Sequence, residues 1–337
     1  MRQGVMVGCL SLLFLLVGCS STEHFTPPAL EKKLPIVGLY EGEIVELTRE
    51  GATLSSGYAL TQEGISRVKL PKGYHFLSQN ADYLLAGNNH GVLEVIERKS
   101  GHIVRAVALH TPVVSATLHD GMVAYILSNN RFGLYEIATN TKHFESQSER
   151  TFAIDTRRAN PLFMGSRVVM PMLDGKLILL DRQASDKTEV LYVSSDKIFN
   201  NIIFLDQKEG KIVTATPKKL MLIDEDKQRS YHANIAEVAI GYGLIYLFTK
   251  EGEIIALDDR LEERYRTSFA HAHFSAGVAT PKALVAIEQE GVAMLLTPHL
   301  DRVVMYGIDP ISTPLFLTKK RLYKEGKIWD ITSVSDE

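Results

Sequence analysis

The chain has 337 residues, 45% of them apolar, and a formal net charge of −3 at pH 7. That length suits one large domain or two smaller ones with an ordinary globular core. The small acidic balance lacks the basic stripe that a nucleic-acid partner requires, and a single Trp beside 24 Gly argues against the aromatic walls of many sugar-binding proteins.

Both cysteines, Cys9 and Cys19, fall within the first nineteen residues. Arg2 supplies one positive charge, Val5 to Val17 is almost wholly apolar, and Gly18 places a small residue before Cys19. A basic start, a short apolar core and a small-residue cleavage site are the layout of a secretory signal. The apolar run is shorter than the ~20 residues that span a bilayer as a helix. Leu16-Val17-Gly18-Cys19 resembles the lipobox of bacterial lipoprotein signal peptides. The resemblance implies that the Cys19 thiol receives a diacylglycerol, that residues 1–18 are removed, and that Cys19 becomes an acylated N-terminus. Each buried lipid methylene contributes about 0.8 kcal/mol, and stable anchoring takes more than one chain. Ser20 follows Cys19; in enterobacterial lipoproteins an aspartate there retains the protein at the inner membrane. The resemblance therefore implies a lipid-anchored, periplasm-facing address on the outer membrane. Cys9 leaves with the signal, so no disulfide is available. A plain signal peptide or an uncleaved anchor, with a chance cysteine, is the alternative.

Residues 19–36 follow as the lipidated cysteine and a flexible tether. The stretch from Ser20 to Ile36 is polar, lacks apolar periodicity and carries Pro27, Pro28 and Pro35, a composition that extends a linker. Residues 37–337 read as one β-propeller domain. Short apolar strands begin near Leu84, Val123, Val168, Ile212, Leu244 and Leu284, recurring about every 40 residues as propeller blades do. Each is followed by a tight polar turn, a second apolar strand ending near an acid, and a third strand. In "KLILL", Lys176–Leu180, apolar residues point to both faces, as expected when a blade is covered by neighbours on both sides. A two-sheet sandwich ranks second, because it buries one face of each strand. Asp174-Gly175 and Glu251-Gly252 supply the positive φ of tight hairpins, and Asn88 to Gly91 and Ser128 to Asn130 do so with other small polar residues. The fold class is thus all-β, a propeller of about eight four-stranded blades with seven as the alternative. The choice depends on whether "GYALTQEGISRVKL" and "PLFLTKKRLYKEGKIWDITS" share one closing blade or form two.

The "DGKLILLD" and "EGEIIALDD" hairpins resemble the repeats of the PQQ-like β-propeller family. Together with the lipobox they make the chain similar to the BamB family of lipoproteins in the outer-membrane protein assembly machinery. That resemblance implies a non-enzymatic eight-bladed scaffold without a cofactor, anchored by its lipid, with envelope proteins and the β-barrel assembly machinery as partners. A scaffold of another periplasmic, respiratory or transport complex is the rival binding reading. The enzyme rival is a quinone- or metal-binding propeller. Against it, quinoprotein dehydrogenases carry blade-locking tryptophans where this chain has only Trp329. Their calcium needs converging oxygens, and Asp155, Asp206, Asp224 and Asp226 show no common spacing.

Motif searches find no HExxH, CxxC, P-loop or GxSxG. Gly241-Tyr242-Gly243 begins like a dinucleotide loop but leads into a strand, and reads as a blade turn. His271 and His273 are the candidate metal pair, since residues two apart on a strand share a face; the opposing reading is two polar residues at a blade edge. Lys319-Lys320-Arg321 and Arg157-Arg158 are candidate contacts for anionic partners or else solvated turns, as is the acidic run Asp224-Glu225-Asp226. Trp329 is expected to pack between the closing blades.

Overall fold

The computed structural model describes residues 24–332 except 29, 31, 184–186 and 226. The signal segment and Cys19 lie outside the described residues. Among those described, 32 strands form eight four-stranded antiparallel sheets, the blades of a propeller. Blades 1 to 7 occupy residues 44–69, 74–108, 113–147, 162–192, 204–232, 235–268 and 274–307 in chain order. Blade 8 takes three strands from residues 316–330 and its outermost strand, Ile36–Leu39, from the start of the domain. That strand runs antiparallel to Lys327–Asp330, with Ile36 opposite Trp329. The two terminal segments therefore build separate blades, and pairing an early strand with late ones in a single sheet closes the ring, leaving only short outer edges.

The apolar pattern explains how blades stack. Along Lys176–Asp181, Leu177 and Leu179 join Ala159, Val193 and Ile212 on the side of blade 5. The alternate residues Ile178 and Leu180 join Phe132 and Val168 on the side of blade 3. The two-residue period of a strand thus feeds two separate interfaces, and each fully buried side chain contributes roughly 1.5–3 kcal/mol. Trp329, 2% exposed, packs with Val285, Ile287 and Leu322 between blades 7 and 8, as expected from the sequence.

The apolar strands recognised in the sequence are the second and third of each blade. The innermost strands line the central channel and mix small with polar residues, as in Phe274–Ala279, "FSAGVA". Gly175 and Gly252 sit at φ 82° and 81°, Asn130 at φ 65°, each in the turn assigned to it. Gly241-Tyr242-Gly243 joins the strands Ile235–Gly241 and Leu244–Thr249, a blade turn as read.

The expectation of a tether running to residue 36 changes at its second half. Phe25 and Leu34 are buried. The Leu34 N–H donates to the Gly307 carbonyl at 3.2 Å, and the Gly307 N–H donates to the Lys32 carbonyl at 2.9 Å. Apolar side chains spaced along a proline-containing segment have no period that marks them as packed, yet two of them find grooves between blades.

Because consecutive strands alternate in direction, each blade places its first and third turns at one end and its second turn, with the connection to the next blade, at the other. These ends define a hairpin face and a connection face.

Candidate functional site

On the connection face, the two longest links between blades are residues 148–161, from blade 3 to 4, and 193–203, from blade 4 to 5. They are zipped together. The Phe199 N–H donates to the Ala153 carbonyl at 3.0 Å, and the Ala159 N–H to the Ile202 carbonyl at 3.0 Å. Between these, the buried Asn201 accepts from the Asp155 N–H at 2.7 Å and donates through Nδ2 to the Arg157 carbonyl at 2.7 Å. Asn200 donates to the carbonyls of Asp174 and Ser194 at 3.0 and 3.1 Å, which fixes the second loop to the Asp174-Gly175 turn.

The pair of loops displays apolar side chains to solvent. Phe152 is 98% exposed, Ile198 56% and Phe199 50%, and the Ala153–Phe199 bond brings the three into one neighbourhood. Phe199 has φ 50°, the left-handed region that a bulky residue rarely adopts. Backbone held there is overdetermined by its surroundings, and such positions concentrate at functional sites. A rigid aromatic on a satisfied loop loses little conformational freedom when covered, and buried aromatics are the usual anchors of protein interfaces.

Charge holds the loops in place. Asp155 takes Arg157 through Nε at 2.8 Å and Nη2 at 2.6 Å, a bidentate pair. Burial alone would raise the Asp155 carboxyl; the hydrogen bonds and charge of Arg157, with Lys250 nearby, outweigh it and hold the group below its ordinary value. Arg157 also donates to the Ile235 carbonyl at 3.1 Å and to that of Ala236, tying the loops to blade 6. Lys176, itself largely buried, bonds Glu149 at 2.8 Å and Asp174 at 3.1 Å. Its ammonium is stabilised by both carboxylates against the cost of burial.

The central channel encloses a cavity of about 1360 Å³. Arg49, from blade 1, crosses it to Glu237 of blade 6 at 2.5 Å and to the Val238 carbonyl at 3.0 Å, with its guanidinium 4.7 Å from the centre of the Phe204 ring of blade 5. Enclosure raises the Glu50 carboxyl there, opposed by Arg49 and reinforced by Asp206. Arg158, Lys319 and Lys320 line the same channel, so these two basic clusters face inward space as well as solvent. The channel is cross-braced by Arg49.

The other sequence candidates are dispersed. His271 and His273 precede the strand Phe274–Ala279 and do not lie on it; His271 has φ 63°, a turn conformation, so the two-residue rule that paired them on a strand face does not apply. Among the described residues no group of three or more His, Cys, Asp and Glu is placed to hold a metal ion. Asp155 is engaged by Arg157, Asp206 lines the channel and Asp224 pairs with Lys211 at 3.4 Å. Asp226 lies outside the described residues. Phe152, Ile198 and Phe199 were not singled out in the sequence. Their signal was the spacing of the repeats, which is widest on either side of Val168.

No protein-family profile matches the sequence. Two curated relatives, both plasminogen-binding protein PgbB from strains of Helicobacter pylori, are 23% and 22% identical, over 91% and 93% of this chain. The chain spans 65% and 66% of their length, just under two thirds. Among solved structures, BamB from Moraxella catarrhalis is similar with a TM-score of 0.69 at 15% identity, covering 88% of this chain and all of its own. The C-terminal WD40 domain of Sif2 gives 0.66 at 13% identity over 90% of this chain and 99% of its own. The computationally designed Ika8 gives 0.64 at 13% identity over 89% of this chain and all of its own. BamB, a WD40 domain and a design share this architecture, so the likeness speaks to fold. In fold, the chain is a BamB-like eight-bladed β-propeller.

Proposed function

We propose that this chain is a non-enzymatic protein-docking propeller of the cell envelope, held to the outer membrane through an acylated Cys19, and that its partner is the β-barrel assembly machinery. The observation that carries the docking role is the exposed cluster of Phe152, Ile198 and Phe199 on two hydrogen-bonded loops. An apolar cluster presented by a rigid scaffold matches the core of a protein interface, with charged groups such as Arg150 and Lys197 for its rim. The BamB-like fold and the envelope signal in the sequence support the choice of partner. The test is cross-linking in the native host followed by affinity purification of tagged protein. Recovery of the barrel-assembly subunit, lost in a Phe152→Asp/Ile198→Asp variant that remains folded, supports the reading. Consistent recovery of a different complex without that subunit rejects it.

A second reading follows from the relatives, which carry the name plasminogen-binding protein. It is tested by direct binding of plasminogen to the purified chain; binding unaffected by the double variant assigns that activity to another surface.

A further inference from the structure

The segment leading into the propeller takes a defined route. His24 pairs with Glu290 in the second turn of blade 7 at 3.2 Å. Phe25 packs edge-on against Phe269, with ring centres 6.4 Å apart, and shares a buried cluster with Ala272 and Phe274. Lys32 and Leu34 bond Gly307, the last residue of the outermost strand of blade 7. Every one of these contacts is at the connection face or the strand ends that open onto it. The arm thus crosses the same face that carries Phe152, Ile198 and Phe199, about half a ring away.

We propose that this docked arm turns the connection face toward the lipid bilayer, so that the apolar cluster meets a partner lodged in the same membrane. The inference rests on the reading of Cys19 as the lipid attachment site. Cys19 precedes Phe25 by six residues, which span roughly 20 Å when fully extended. That reach is about the height of one blade strand. It brings the bilayer to the connection face and is too short to pass around the rim to the hairpin face. A freely swinging tether from Cys19 to Ile36 would impose no such preference, because both faces would sample the membrane. Tyr242, exposed in the first turn of blade 6, marks the face turned away.

The experiment uses protein comprising residues 19–337, in which Cys19 is the sole cysteine. Cys19 is coupled to a maleimide lipid in phosphatidylethanolamine–phosphatidylglycerol vesicles that carry a headgroup energy acceptor. A donor fluorophore is attached through p-azidophenylalanine at position 152 or at position 242. Quenching at least two-fold stronger at 152 than at 242, and equalised by Phe25→Ala, is the expected result. Equal quenching at the two positions, or stronger quenching at 242, overturns the proposal. A difference that persists in Phe25→Ala overturns the role of the arm. Circular dichroism confirms that the variant is folded, and Glu290→Ala, which removes only the surface partner of His24, provides a milder release. Because the lipid is attached chemically, the outcome does not depend on acylation in cells. That step is tested separately by fatty-acid labelling of wild type and Cys19→Ser; equal label in both removes the lipidation reading and leaves the geometry intact.

Discussion

Asp155 and Gly277 show how single residues set the site and the ring. The ionised Asp155 stabilises the loop pair through Arg157. Its folded pKa is depressed, so this contribution is complete above the unfolded value of about 4 and is lost as pH falls through the lower folded value. Asp155→Asn leaves the Arg157 guanidinium without its counter-charge, at a cost of about 1–3 kcal/mol. Amide hydrogen exchange at Phe199 and Ala159 should therefore quicken on the order of 10- to 100-fold in the variant near neutral pH, while exchange in distant blades is unchanged. The same loss of protection, measured relative to the slower intrinsic exchange of amides in acid, should appear in the wild type at acidic pH; unchanged exchange at Phe199 in Asp155→Asn would show that the pair does not hold the loops. Gly277 acts by absence. A Cβ there would meet the Phe248 ring at 2.4 Å, so the ring of blade 6 fills the space that the glycine leaves in blade 7. Gly277→Ala overpacks that interface and should lower stability by about 1–3 kcal/mol in thermal melting. An unshifted midpoint would mean that the blades slide apart without strain.

Among elements, the strand Ile36–Leu39 carries the most topological weight, because it covers the outer edge of blade 8. Trp329 sits opposite Ile36 and is the only tryptophan in the chain, so its fluorescence reports on this seam alone. Protein beginning at residue 40 should show red-shifted Trp329 emission and a lower, broader melting transition, since a propeller closes cooperatively. Emission identical to that of the protein beginning at residue 19 would contradict closure by this strand. Legibility in the sequence follows the same division of elements. Second and third strands were plain, because a run such as Leu177 to Leu180 is covered on both faces and is apolar at every position. First strands were hidden, since Ser115 answers to the Ala159 carbonyl of a connecting loop and Gly277 to a neighbouring ring, and neither to a period. The histidine pair sits before its strand, with His271 in a turn conformation, so a strand period does not describe it. Phe25 and Leu34 were hidden because isolated apolar residues in a polar, proline-containing stretch look solvated until a groove is present to receive them. The docking loops left only their length as a trace, in the wide spacing around Val168.

At the scale of the whole molecule, eight blades supply a stiff ring, Arg49 braces it across the channel, and the connection face gathers both the arm and the two long loops. The two long loops divide their duties: Ala159, Val193 and Ile202 pack into the blade interface and hold the ring, and the exposed side chains of Phe152, Ile198 and Phe199 stay free, as loop positions outside a packed core can. We propose that recognition occurs at the Phe152 cluster. The most direct test is site-specific photo-cross-linking in living cells of the native host, with p-azidophenylalanine at position 152 compared with position 242. A covalent adduct with the barrel-assembly subunit from position 152 and none from position 242 is the expected result; an adduct with that subunit from position 242 alone, or none from position 152 while other proteins are captured there, would rule out recognition at the cluster.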